Sequence, residues 1–165
     1  MSMIKLITSE TSEFKDDLWN LFVIYQKELI AVSGENWNIG TKEEFYFQGN
    51  KYSGIINYLV LDDEEVIGLV CVQNIYYEKP KMLYISQMYI KPEFRRRGYG
   101  TKVLSLLKDL FIDKKTVCWL YVLKGNKQGL EFWQKAIKAN NLRPTEDDRC
   151  YIKTCEDEIK LIFKK

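Results

Sequence analysis

At 165 residues and a net charge of +2 (25 Lys+Arg against 23 Asp+Glu), the chain lacks the basic excess of a general nucleic-acid-binding surface. Hydrophobic residues make up 46 % and charged residues 29 %, the balance of a soluble globular protein, and the length suits a single domain over residues 1–165. There is no histidine and no C-x-x-C pair among Cys71, Cys118, Cys150 and Cys155, which excludes a Cys–His or Ser–His nucleophile and leaves no metal centre to expect.

The opening residues Met1-Ser2-Met3-Ile4-Lys5 hold no apolar h-region or cleavage site, and no stretch approaches the roughly 20 apolar residues of a membrane span. A cytoplasmic protein with reduced, buried thiols and no membrane partner is expected. Residues 4–8 read as a short strand. A helix follows over 12–31, with Phe14, Leu18, Leu21, Phe22, Tyr25 and Leu29 on one face, Ser12 as N-cap and Glu13, Asp16 and Asp17 near its start. Residues 34–50 are glycine-punctuated and aromatic, and read as a loop with a short helix. Strands over 58–61 and 66–75 flank the turn Asp62-Asp63-Glu64-Glu65, and Glu78-Lys79-Pro80 marks the next turn.

The strand Met82–Ile90 alternates, with Tyr84, Ser86, Met88 and Ile90 on one side and Leu83, Ile85, Gln87 and Tyr89 on the other. Pro92 cannot donate to a ladder and ends it. Next comes Arg95-Arg96-Arg97-Gly98-Tyr99-Gly100-Thr101, then a helix with Val103, Leu104, Leu107, Leu110 and Phe111 on its apolar face. Residues 117–122 form a buried strand. Lys127–Ala139 is a helix with Leu130, Trp133 and Ile137 inward. Residues 149–154 and 158–163 read as a terminal hairpin. This order of elements predicts a mixed α/β (α+β) sandwich around one sheet.

Strand, arginines, two glycines and helix together describe an anion-binding turn. Glycine permits positive φ and close backbone approach, the helix start exposes unpaired N–H groups, and arginines supply donors suited to phosphate oxygens. A solvated turn, a localisation signal and a nucleic-acid patch are the competing readings of the arginines. A nucleotide triphosphate or dinucleotide is disfavoured, because neither G-x-x-x-x-G-K-[ST] nor G-x-G-x-x-G is present.

With Arg95, Gly98 and Gly100 matching [QR]-x-x-G-x-[GA], Ile90-Lys91-Pro92 before them, and Asn126 followed by Phe132-Trp133, the stretch of about 58–137 resembles the GNAT N-acetyltransferase superfamily. The resemblance implies a central mixed, mostly antiparallel sheet flanked by helices on both faces. It implies acetyl-CoA as cosubstrate, held by the backbone of Met88, Tyr89 and Ile90, by the turn Arg95, Arg96, Arg97, Gly98, Tyr99, Gly100 and Thr101, and by Asn126 and Trp133. It also implies a small-molecule or peptide amine as acceptor, and is compatible with a homodimer. Helix capping competes for Asn126, and core packing for Met88 and Ile90. The chain departs from the family in having no carboxylate on Met82–Ile90 and tryptophan in place of the usual tyrosine at Trp133. Tyr121 and Tyr84 are then the candidate proton donors, with structural packing as the alternative. Trp37, Glu43 and Glu44 are candidate contacts for a cationic amine. A CoA-binding sensor or partner-binding protein that has lost efficient catalysis is the alternative to the enzyme.

Overall fold

The computed structural model describes residues 3–51, 54–76, 81–147 and 157–165, with the side chains of 48–51 left aside. The strands are β1 (Ile4–Ile7), β2 (Ile55–Asp62), β3 (Glu65–Ile75), β4 (Met82–Ile90), β5 (Val117–Leu123), β6 (Arg143–Pro144) and β7 (Glu158–Lys164). They form one sheet in the order β1-β2-β3-β4-β5-β7-β6. Only β4 and β5 run parallel; the other neighbours are antiparallel. The helices are α1 (Ser12–Ser33), α2 (Lys42–Lys51), α3 (Tyr99–Phe111) and α4 (Lys127–Ala139). The result is the expected mixed, mostly antiparallel sheet with helices on both faces.

Each face is sealed by a different set of side chains. Val103, Leu104 and Leu107 of α3 and Trp133, Ala136 and Ile137 of α4 pack on Val70, Val72, Leu83, Leu120 and Phe163. On the opposite face Phe14, Leu18 and Leu21 of α1 meet Leu59, Leu69, Cys71 and Tyr89. A third cluster, Met82, Val117 and Trp119 with Tyr84 and Tyr121, lies on the α1 face of the β4–β5–β7 side.

Several local expectations are corrected. Thr11, not Ser12, caps α1: its backbone is extended and its hydroxyl accepts the Phe14 N–H at 3.3 Å. The helix runs on to Ser33, where Gly34 at φ 71° closes it by donating its N–H to the Ile30 carbonyl. The short helix expected in the region after it is α2, started by a reciprocal capping box in which the Thr41 N–H donates to Glu44 and the Glu44 N–H to Thr41. Leu110 is 58 % exposed, off the packed side of α3, whereas Phe111 and Ile112 just beyond it reach the core. A two-residue strand, Arg143–Pro144, pairs with β7; an element this short has no readable period. The expected turn at 78–80, the strand 149–154 and the residues Cys150 and Cys155 lie outside the described residues.

The largest correction concerns β4. Its register with β3 pairs Val72 with Ile85 but Cys71 with Gln87, so Ser86 is an extra residue, a β-bulge. One inserted residue reverses the alternation beyond it. Leu83, Ile85, Met88 and Ile90 therefore all pack toward the α3 and α4 core, whereas Tyr84 and Tyr89 pack on the α1 face.

Candidate functional site

The bulge sits where the sheet opens. Pairing of β4 with β5 covers Met82 to Tyr84 against Val117 to Trp119 and goes no further. Beyond Tyr84, the edge of β4 facing β5 has no ladder partner in that strand. Backbone groups on that edge between the bulge and Ile90 thus have hydrogen-bonding capacity left over, while the Ile90 carbonyl accepts from Arg95. The Ser86 hydroxyl donates to the Cys71 carbonyl at 3.1 Å, tying the bulge back to β3.

At the end of β4 the chain makes a short 3-10 turn, Pro92–Phe94, and enters α3 through Arg95 to Gly98. Arg96 at φ 62° and Gly98 at φ 79° are left-handed, with Arg97 between them. Such alternation aims successive N–H groups to one side as an anion-binding nest. The α3 ladder starts with the Lys102 N–H donating to the Gly98 carbonyl, and no side chain caps the helix. The N–H groups of Tyr99, Gly100 and Thr101 are therefore unused by the helix.

The two glycines do different work. A Cβ on Gly98 would meet nothing within 4 Å, so Gly98 is there for its φ. A Cβ on Gly100 would come within 2.7 Å of the Phe132 ring and 3.3 Å of the Met88 methyl group. Gly100 thus lets α3 lie close against α4 and β4.

The three arginines also divide. Arg95 donates through Nε to the Ile90 carbonyl and through Nη2 to Glu28 of α1, both at 2.7 Å, and lies 5.2 Å over the Tyr89 ring. Arg97 stacks 5.6 Å over Phe94. Arg96 is exposed and has no hydrogen bond, ion pair or ring contact among the described residues. Tyr99 anchors the helix start by donating its hydroxyl to Asp62 at 2.5 Å.

On the other face of the bulge lies a cavity of about 820 Å³. Its walls include Phe22, Phe45, Asn38 and Asn57, and its lining reaches Ser86 and Gln87. Two of the three expected acceptor residues line it. Glu43 has no hydrogen bond or ion pair among the described residues, whereas Glu44 is occupied by the Thr41 N–H as a capping residue. Trp37 stands outside the lining and donates its indole N–H to Gln26. Cys71 also lines the cavity, and burial pushes its thiol up to about 12, so it stays protonated and unreactive.

Tyr84 and Tyr121 meet edge to face, 6.1 Å between centroids, and Tyr84 stacks on Trp119 at 5.1 Å. Neither lines the cavity. Burial, with smaller contributions from Glu158 and Tyr121, pushes the Tyr84 phenol up to about 12. Tyr121 lies two residues past the last β4–β5 pair, on the opened part of the sheet. Asn126 caps α4 by accepting the Gly129 N–H at 2.9 Å. Trp133 is only 8 % exposed, within the α3–α4 core. Its neighbour Phe132 instead reaches Met88 and the first turn of α3.

Gln26 and Glu28 of α1 and Ser86 at the bulge join this region without having been expected there, and Phe132, named with Trp133, is the one beside Gly100. For Gln26 there was a signal: an amide on the stripe shared by Leu18, Phe22 and Leu29 implies a buried hydrogen-bond partner. Among the described residues no three His, Cys, Asp or Glu side chains gather into a metal-binding group, and no helix is long and apolar enough to cross a membrane.

A family model described as "Acetyltransferase (GNAT) family" matches residues 15–137. Bovine (Bos taurus) thialysine N-epsilon-acetyltransferase is 31 % identical over 74 residues, a stretch covering 44 % of this chain and 43 % of that protein. The chain thus spans less than half the length of this relative. Among solved structures, an acetyltransferase from Thermus thermophilus superposes with a TM-score of 0.70 at 15 % identity, covering 97 % of this chain and 96 % of that one. The spermidine N-acetyltransferase of Vibrio cholerae, solved with CoA and spermine, gives 0.66 at 15 % identity, covering 98 % and 94 %.

Proposed function

The chain belongs to the acetyltransferase (GNAT) family, and we propose that it is a single-domain N-acetyltransferase using acetyl-CoA and a cationic primary amine. The observation that carries this reading is a strand edge with spare backbone groups that runs from one bulge toward an uncapped helix start, with a cavity reaching the same bulge from the other face. Acetyl-CoA supplies an acyl thioester open to attack by an amine.

The N–H groups of residues 96–101 hold the pyrophosphate, with charge from Arg96 and Arg97. Arg95, committed to Glu28 and Ile90, shapes the turn rather than serving as a phosphate ligand. Met88, Tyr89 and Ile90 offer backbone to the pantetheine arm as an added strand. Phe132, beside Gly100, contacts the arm in place of the buried Trp133, and Asn126 acts first as a cap.

The amine occupies the cavity, with Glu43 as its charge partner and Phe22 and Phe45 as aromatic walls. It attacks as the neutral base: a C–N bond forms, the C–S bond breaks, and the ammonium proton leaves to water or a nearby group. A backbone N–H beside the bulge steadies the developing oxyanion. A phenol at about 12 is a weaker acid than a thiol of about 8.5, so Tyr84 keeps its proton and is not the acid for the leaving sulfur. Tyr121, on the opened part of β5, is the better placed donor to the leaving sulfur.

The test is titration with acetyl-CoA followed by thiol release across a panel of amines. Saturable binding and turnover on a cationic amine are expected, and Tyr121→Phe should lower kcat about tenfold at unchanged CoA affinity. Absence of saturable binding defeats the reading. Tight binding with no thiol release on any amine favours a CoA-binding protein without catalysis, to which the missing β4 carboxylate already points.

A further inference from the structure

One turn of α1 touches both halves of the site. Gln26, buried at 8 % exposure, accepts the Trp37 indole N–H and donates to the Gln87 side chain, both at 3.1 Å. Two residues on, Glu28 accepts the Tyr89 hydroxyl on one oxygen at 2.9 Å and Arg95 on the other at 2.7 Å. Tyr25, on the same turn, packs 5.4 Å from the Tyr89 ring. Gln87 and Tyr89 are the β4 residues just past the bulge, which the bulge itself turns toward α1.

The polarity of the first link is determined by chemistry. Indole is donor-only, so Gln26 must present its carbonyl to Trp37 and its amide N–H to Gln87. Gln87 is then oriented with its carbonyl toward Gln26, at the floor of the cavity. The second link is charged: Arg95, the first residue of the signature, spends its fork on α1 and on the last carbonyl of β4. Between the two links, a residue of the acceptor loop and a residue of the phosphate turn are tied to one helix. Cutting either should loosen one end only.

We propose that Gln26 and Glu28 are positioning residues, a brace in which Gln26 holds the acceptor loop at Trp37 against the bulge and Glu28 holds the phosphate turn through Arg95. The functional half of this proposal rests on the acetyltransferase reading above. Loss of a buried hydrogen-bond partner leaves its mates unsatisfied, and a site displaced by a fraction of its contacts loses affinity on that side.

The experiment uses the full chain with Gln26→Leu and Glu28→Ala. Hydrogen exchange on the free protein reads the brace without any ligand. Peptides covering 34–41 should exchange faster in Gln26→Leu, and peptides covering 95–98 faster in Glu28→Ala, each variant leaving the other segment as in wild type. Kinetics then read the consequence: Gln26→Leu should raise the amine KM about tenfold at unchanged CoA Kd, and Glu28→Ala should raise the CoA Kd about tenfold with a smaller change in amine KM. Exchange that is unchanged, or equally faster everywhere, overturns the brace, as does a fall in kcat with both affinities intact. Wild type that fails to bind acetyl-CoA defeats the acetyltransferase reading, while the exchange patterns still decide the brace.

Discussion

The turn from Arg95 to Thr101 and the cavity beside α2 lie on opposite sides of one bulge, yet they are built on opposite principles. The turn is contiguous, running from Arg95 to Thr101, and its useful groups are backbone N–H donors placed by φ values and a helix start. The cavity gathers Phe22 from α1, Asn38 from a loop, Glu43 and Phe45 from α2, Asn57 from β2 and Gln87 from β4. A backbone site tolerates almost any neighbours so long as its glycines remain. A side-chain site changes with each substitution. On the proposed function, this difference lets the donor site follow the family while the acceptor site varies with its side chains.

The sharpest way to break the donor side is Gly100→Val. Its Cβ would meet the Phe132 ring at 2.7 Å, and overpacking of this kind costs about 1–3 kcal/mol. A denaturation midpoint well below wild type, together with loss of CoA binding, is expected. Gly98→Ala is the control: its Cβ meets open space, so only the left-handed backbone is penalised, by about 1–2 kcal/mol. Equal stability of Gly100→Val and wild type would remove the close approach from the account.

Alkaline pH should strain the acceptor face. Cys71, Tyr25 and Tyr84 are all raised to about 12 by burial, from ordinary values of 9.0 for the thiol and 10.0 for the phenols. Each is raised above its unfolded value, so its contribution is fully present below that value and is lost as pH climbs toward the folded one. Stability measured by denaturant titration should be level with respect to these groups below pH 9 and fall between 9 and 12. A level profile across that window would contradict their burial.

A gentler cut is Arg96→Gln with Arg97→Gln. Two exposed charges near a phosphate at moderate salt should together be worth about tenfold in CoA Kd, and the salt dependence of binding should flatten. An unchanged salt slope would leave the turn with backbone donors alone. The smallest effect belongs to Glu43→Gln, about fivefold in KM for cationic amines, since an exposed ion pair gives about 1 kcal/mol. CoA affinity should stay as in wild type; a change there would show that the two halves are less separate than their construction implies.

What was legible in the chain follows the same division. Strand, proline, glycines and helix from Met82 to Phe111 appear in the structure with the expected order and bounds for β4, because every part is a local preference of adjacent residues. The helix Lys127–Ala139 was read to the residue for the same reason. The faces of β4 beyond Ser86 were misread, since a bulge belongs to the register of two strands and leaves no mark in the period of one. Asn126 could be read either as ligand or as cap; the 2.9 Å bond to the Gly129 N–H gives it the cap. Glu43 and Glu44, alike in sequence, part company once Thr41 takes one of them.

By itself the sequence determined the family, the layered fold and the glycine turn that enters α3, each legible in short local patterns of adjacent residues. Only the tertiary structure decided that Arg95 faces α1, that Gln26 and Gln87 join across the core, and that one face of the bulge opens into a cavity. Those contacts join residues some 60 or more positions apart, and packing, not propensity, selects which side chains meet.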